Sequence, residues 1–284
     1  MKQPTIANKK VTRYILQRFG IHMSKRLGQN FLIDANIVQG IVDAANVQEN
    51  DRVLEIGPGI GTLTQALAET GAEVTCVELD KRLPEVLAHT LDAYDNVRVI
   101  QGDILKVNIP EIMGDKPFKV VANLPYYITT PILLKVLEET TRIDKMIVMM
   151  QTEVAKRLCG KPSTKDYNAL SVLIQYFTNP RIIFNVSPKS FFPEPNVESS
   201  VVMIEKKEEP LLEVENLDFF LKFNRNIFAQ RRKTLYNNIQ KAYNYDKGLI
   251  KKIIKENNLD ESVRSEELDV SQIVKLANDF YING

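Results

Sequence analysis

The sequence predicts an α/β protein: a mostly parallel sheet of seven strands with helices on both faces, followed by a small all-helical domain. Three observations carry that prediction. Across residues 52–150, short β-branched runs alternate with segments whose apolar residues recur every three or four positions; this is the pattern of parallel strands joined by crossover helices. Two more strand-like runs, 181–186 and 199–205, raise the number of strands to seven. Past residue 206 the strand signals fade and helical periodicity runs on to Gly284.

Taken in order, 36–47 reads as an amphipathic helix preceding the sheet. Strands follow at 52–56, 73–78, 97–101, 119–122 and 145–150, with helices at 62–69, 81–91 and 131–139 between them, and a further helix at 168–177. The last two strands flank Ser187-Pro-Lys-Ser-Phe-Phe-Pro-Glu-Pro-Asn196, a loop too long for a tight hairpin and stiffened by its prolines. The charged stretch 206–210 is the expected linker. The domains are therefore placed at 1–207 and 208–284.

Composition narrows the function. The chain has 284 residues, 44% of them hydrophobic, enough for one large domain and a smaller one at roughly 100–200 residues each. No apolar run approaches the ~20 residues that cross a bilayer, so no membrane association is expected. The N-terminal residues lack the apolar stretch of a secretory signal. Cys76, Cys159, His22 and His89 are the only cysteines and histidines, too few for a disulfide framework or a zinc site. A reducing, cytoplasmic setting and no metal are expected.

The net charge of +1 hides a strong asymmetry. Residues 1–33 carry seven cations and no acid, residues 222–241 carry six cations and no acid, and the remaining 231 residues sum to −12. Two basic segments on an acidic body suit a polyanionic partner gripped at defined places.

The chemistry concentrates at strand ends. Val53-Leu-Glu-Ile-Gly-Pro-Gly-Ile-Gly-Thr-Leu-Thr64 leaves a strand and opens a helix; Gly57 and Gly59 allow a sharp turn and close approach of a ligand to the backbone. Glu78 ends the next strand, where a carboxylate accepts from ribose hydroxyls. Asp103 ends the one after, where an acid can accept from an adenine amine. The three converge on the crevice at the carboxyl edge of the sheet. With no G-K-[ST] phosphate loop, S-adenosylmethionine suits this set better than a dinucleotide: its adenosine uses the acids and its carboxylate the loop N–H groups. The fourth strand then ends in Asn123-Leu-Pro-Tyr-Tyr127. The Asn123 side-chain oxygen and Leu124 carbonyl form a pair of acceptors for an exocyclic adenine amine, Pro125 sets the turn, and Tyr126 offers a ring for stacking.

These motifs, together with Ser24-Lys-Arg-Leu-Gly-Gln-Asn-Phe-Leu-Ile-Asp34, Gln151-Thr-Glu-Val-Ala-Lys-Arg157 and Phe191-Phe-Pro-Glu-Pro-Asn-Val-Glu-Ser199, resemble the ribosomal RNA adenine dimethyltransferases over nearly the whole chain, most closely their bacterial small-subunit branch, the KsgA type. The resemblance implies a Rossmann-like methyltransferase sheet and S-adenosylmethionine as donor. It implies two adjacent adenosines near the 3′ end of 16S rRNA as substrate, each dimethylated on N6 during small-subunit biogenesis. Donor-binding positions fall on Asn30, Leu32, Gly57, Gly59, Glu78, Asp103 and Asn123, with residues 28–32 covering the methionine end. Asn123 through Tyr126 hold the adenine, and Phe191, rather than Phe192, stacks on its other face.

In the tail, residues 228–239 read as a helix presenting Arg231, Arg232 and Lys233 to RNA phosphates while burying Leu235 and Ile239. Any one of these cations can instead pair with an acid. A monomer is expected. The rival readings are a macrolide-resistance-type enzyme acting on 23S rRNA and a ribosome-assembly factor whose methylation is secondary.

Overall fold

In the computed structural model, which describes residues 4–24, 28–140, 142–207 and 212–284, the strand runs sit where their β-branched composition places them. After α1 (Lys9–Arg18) and the two-residue β1 (Phe31–Leu32), the chain forms α2 (Ala35–Ala45), β2 (Arg52–Ile56), α3 (Thr62–Ala68), β3 (Glu73–Glu78), α4 (Leu83–Thr90), β4 (Val97–Gln101), α5 (Ile109–Met113) and β5 (Phe118–Asn123). It continues with α6 (Thr129–Glu139), β6 (Ile143–Gln151), α7 (Thr152–Leu158), α8 (Ala169–Phe177), β7 (Thr178–Val186), β8 (Phe191–Phe192) and β9 (Ser199–Lys206).

Seven strands form one sheet in the order β4-β3-β2-β5-β6-β9-β7. The pairs from β4 through β6 are parallel, and β9 runs antiparallel to β6. Val53, Leu54, Val120, Val121, Ile147 and Val148 are fully buried, as strands covered on both faces require. The chain adds β3 and β4 on one side of β2, then crosses to place β5 on the other, so the switch point lies between β2 and β5. Register brings the strand ends level: Ile56 lies opposite Val77, Glu78 opposite Gln101, and Asn123 opposite Met149.

The short strands β1 and β8 form a separate antiparallel pair, Phe31 opposite Phe192 and Leu32 opposite Phe191. Because neighbouring side chains on a strand point to opposite faces, Leu32 and Phe191 enter the main core with Val38 and Leu63, whereas Phe31 and Phe192 join Ile15, Leu16, Ile60 and Leu83. This pair was not foreseen from the sequence.

The chain divides into two compact units, Met1–Ala155 with Arg181–Lys206, and Lys156–Pro180 with Lys207–Gly284. The boundary expected near residue 208, and Lys2, Lys25 and Arg26 of the first basic segment, lie outside the described residues. Residues 156–180, expected within the first domain, group with the second unit. Val172 and Tyr176 of α8 pack against Phe220, Phe223 and Phe280 in the core of that unit. Its other helices are α9 (Leu217–Ile227), α10 (Leu235–Ala242), α11 (Lys247–Glu256) and α12 (Val270–Asn283). Leu235 and Ile239 are fully buried, as their spacing predicts.

The expected helix over 228–239 is interrupted. α9 stops at Ile227, and Thr234 caps α10, its hydroxyl accepting from the Asn237 N–H at 3.3 Å. A threonine side chain that satisfies a free helix-start N–H favours initiation over continuation. The Leu235 N–H turns outward to the Val263 carbonyl at 2.8 Å, so residues 228–234 form turns. Among the described residues, no helix is long and apolar enough to cross a membrane.

Candidate active site

The glycine loop forms one wall of a crevice at the switch point. Gly57 and Gly59 take φ of 70° and 62°, and a Cβ on Gly57 would meet nothing within 4 Å. That opening is what a ligand lying against the backbone needs. A Cβ on Gly59 would come within 3.1 Å of the Phe31 ring, which lines the same crevice. The Gly59 N–H donates to Glu78 Oε2 at 3.1 Å and the Asp80 N–H to Oε1 at 2.7 Å. These bonds aim the carboxylate across the loop. Glu78 is buried, and burial raises its pKa although the two N–H donors act against the rise. Asp103 sits at the rim, one carboxylate oxygen accepting from the Leu105 N–H at 3.0 Å.

Asn123 is the last residue of β5. Its Nδ2 donates to the Asn30 carbonyl at 3.3 Å, which uses the amide nitrogen and leaves Oδ1 as the acceptor end. The Leu124 N–H continues the sheet by donating to the Met149 carbonyl at 3.0 Å. The Pro125 carbonyl accepts from Thr129 Oγ1 at 3.1 Å, tying the turn to the start of α6. Tyr126 and Ser199 share a hydroxyl–hydroxyl bond of 2.5 Å, which fixes the tyrosine ring at the crevice wall. Burial raises the pKa of that phenol, so it stays protonated.

The segment carrying Gly28 to Leu32 closes the opposite wall, and a three-residue latch holds it. Gln29 Nε2 donates to Asp80 Oδ2 at 2.7 Å while its Oε1 accepts from the Ser24 N–H at 2.9 Å. Arg82 grips the same carboxylate through Nε at 2.9 Å and Nη2 at 2.6 Å, and donates Nη1 to the His22 carbonyl at 2.9 Å. The Arg82 guanidinium is the main cause that pulls Asp80 down to about 2, so the latch stays charged at any working pH.

Residues 20–280 match the ribosomal RNA adenine dimethylase family. The chain belongs to that family. It is 44% identical over 278 residues to the ribosomal RNA small subunit methyltransferase A of Alkaliphilus oremlandii, covering 96% of this chain and 97% of the relative. It is 43% identical to the enzyme of the same name from Listeria monocytogenes, covering 94% of each. Among solved structures, a dimethyladenosine transferase from Plasmodium falciparum superposes with a TM-score of 0.77 at 26% identity, over 89% of this chain and 98% of the other. The 23S rRNA methyltransferase ErmE gives 0.69 at 26% identity, over 88% and 99%. The small-subunit names and the better superposition leave the 23S alternative unfavoured. The chain is a methyltransferase of ribosomal RNA.

For an adenine dimethylase, the crevice gathers most of the residues picked from the sequence. Asn30, Leu32, Gly57, Gly59, Glu78, Asp103, Asn123, Leu124, Pro125 and Tyr126 all line it. Phe191 does not. It is 1% exposed within the main core, because the β1–β8 register turns it to the Leu32 side; the half-buried ring is Phe192. Arg231, itself exposed, takes the alternative left open for these cations. It ion-pairs with Glu266 at 2.7 Å and donates to the carbonyls of Lys165 at 2.7 Å and Thr164 at 3.3 Å. Arg232 and Lys233 are exposed.

Two features escaped the sequence reading. Glu55 lines the crevice yet is almost wholly buried; burial pushes its carboxyl up to about 8, and the Cys76 thiol donates to it at 3.6 Å. An acid inside the apolar run Val-Leu-Glu-Ile was the available signal. Asp80, two residues beyond Glu78, had none.

Proposed function

We propose that this chain transfers methyl groups from S-adenosylmethionine to N6 of two adjacent adenosines near the 3′ end of 16S rRNA, as a cytoplasmic monomer acting during small-subunit biogenesis. The observation that carries this reading is that Asn123-Leu-Pro-Tyr126 and the Gly57/Glu78/Asp103 set line one crevice.

The residues suit the donor. Open space over Gly57 takes the part of the ligand that lies on the backbone. Glu78, held by two N–H groups, is the acceptor for the ribose hydroxyls, and Asp103 accepts from the adenine amine. Asn30 and Leu32 cover the methionine end. When bound, S-adenosylmethionine supplies a methyl group on a sulfonium, an activated donor for in-line displacement.

The protein's task is then alignment, which can carry much of a barrier of this kind. An exocyclic adenine amine is a weak nucleophile because its lone pair is delocalised into the ring. Asn123 Oδ1 and the Leu124 carbonyl accept its two hydrogens and favour the pyramidal nitrogen of the transition state. Asn123 can do this because Asn30 fixes its amide. Tyr126, held by Ser199, stacks on the splayed-out base, a contact worth ~1–3 kcal/mol. The amine's proton passes to solvent after transfer.

The test is incubation with labelled S-adenosylmethionine and unmethylated small subunits, followed by nucleoside mapping, with large subunits in parallel. Dimethyladenosine at two neighbouring positions of 16S rRNA is expected. Label in 23S rRNA alone, or none, overturns the reading.

A further inference from the structure

α1 shows two faces of opposite character. Thr12, Ile15 and Leu16 are buried, while Lys9, Lys10, Arg13, Tyr14, Gln17 and Arg18 are all exposed. Steps of four residues set the exposed six on a single side of the helix. Four of them are cations, and among the described residues none of the four takes part in an ion pair.

This arrangement costs the helix. Its first turn has no acid and begins with two lysines, the sign that opposes the helix dipole, at about 0.3–1 kcal/mol each. Lys9 and Arg13 also stand four apart, a like-charge spacing that destabilises an isolated helix. Among the described residues, no ion pair returns that cost.

The stripe is also continuous with the crevice. The Arg13 guanidinium lies 5.1 Å over the Phe192 ring. Phe192 pairs with Phe31 across the β1–β8 ladder, and Phe31 lines the crevice. A guanidinium stacked on a ring keeps its in-plane N–H groups available for a phosphate. Tyr14, 58% exposed, accepts from Arg18 Nη1 at 3.3 Å, which sets a second arginine beside an aromatic surface.

Resting on the function given above, we propose that this face of α1 is a docking surface for the backbone phosphates of the RNA strand that carries the target adenosine. A polyanion complements an unpaired cationic stripe, and a stripe one ring from the crevice engages the strand next to the base being presented. These contacts position the strand and read no sequence.

The test compares wild type with Lys10→Gln/Arg13→Gln/Arg18→Gln, with Lys10→Arg/Arg13→Lys/Arg18→Lys, and with Lys251→Gln/Lys252→Gln/Lys255→Gln on α11. The probe is unmethylated small subunits across a salt series. Each lost phosphate contact removes about 0.7 from the log–log salt slope and roughly fivefold in affinity near 0.1 M salt. The α1 glutamine triple is therefore expected to bind about 100-fold more weakly, with a slope smaller by about 2. Its donor affinity should match wild type, its thermal midpoint should be no lower, and KM for subunits should rise more than kcat falls. The charge-preserving triple should keep the wild-type salt slope, giving up only the few-fold in affinity that the Arg13 stack on Phe192 adds, and the α11 triple should change little. An unchanged slope in the glutamine triple, or an equal loss in the α11 triple, overturns the docking surface while methylation by wild type leaves the function standing. Failure of wild type to bind and methylate small subunits overturns both.

Discussion

α1 and the 228–234 turn are both cation-rich and free of acids, yet they use charge in opposite ways. On α1 the cations stand outward, and the apolar side of the helix does the holding. In the turn, Arg231 ties its own unit together, joining Glu266 to the carbonyls of Thr164 and Lys165. What separates them is supply. A regular helix satisfies its own backbone and can release its charged side chains; beside the turn, the carbonyls of Thr164 and Lys165 take donors from Arg231, whose five N–H groups can meet several acceptors at once. A cation is thus free to serve a surface only where no neighbouring acid or backbone carbonyl claims it, as with Arg232 and Lys233 beside Arg231.

The largest effect should come from the packing of the β1–β8 pair rather than from the charge of α1. Phe191→Ala removes a fully buried ring and is expected to cost about 3–5 kcal/mol of stability, read by denaturant unfolding. A stable variant with slowed transfer alone would return Phe191 to the adenine. After the α1 triple described above comes Arg231→Ala. It should lower stability by about 1–2 kcal/mol through lost charge-assisted bonds and leave the salt slope of subunit binding nearly unchanged, whereas Arg232→Ala should do the reverse. If Arg231→Ala keeps its thermal midpoint and loses slope, the contrast between the two segments disappears. The smallest effect is Phe192→Ala, which takes the platform from under Arg13. A loss of about 1 kcal/mol, roughly fivefold, is expected in subunit affinity, with a smaller loss of stability than in Phe191→Ala because this ring is only partly buried against Ile15 and Leu83.

Much of the crevice was legible because its parts are local. Gly57, Glu78, Asp103 and Asn123 each stand at the end of a strand run, and parallel strands bring such ends to one edge. What stayed hidden depends on partners far along the chain. The Asp80 latch needs Gln29 and Arg82 together. The fates of Phe191 and Phe192 are decided by pairing with residues 31 and 32, which a proline-rich loop does not advertise. The break before α10 needs the Val263 carbonyl as well as the Thr234 cap. Residues 156–180 join the helical unit because the apolar side of α8 finds its match in the aromatic residues of α9 and α12. Glu55 alone was visible in place, and only its burial gives it meaning.

The two-residue ladder has a consequence for how this protein can vary. A long strand that slips by one position still has other rungs to resist the slip; β1 and β8 have none to spare. Inserting a single residue at the junction of Ser190, which is anchored to Asp34, and Phe191 would shift Phe191 onto the rung of Phe192 and pull its ring out of the core. Length in that short stretch should therefore be more tightly constrained than the identity of its residues.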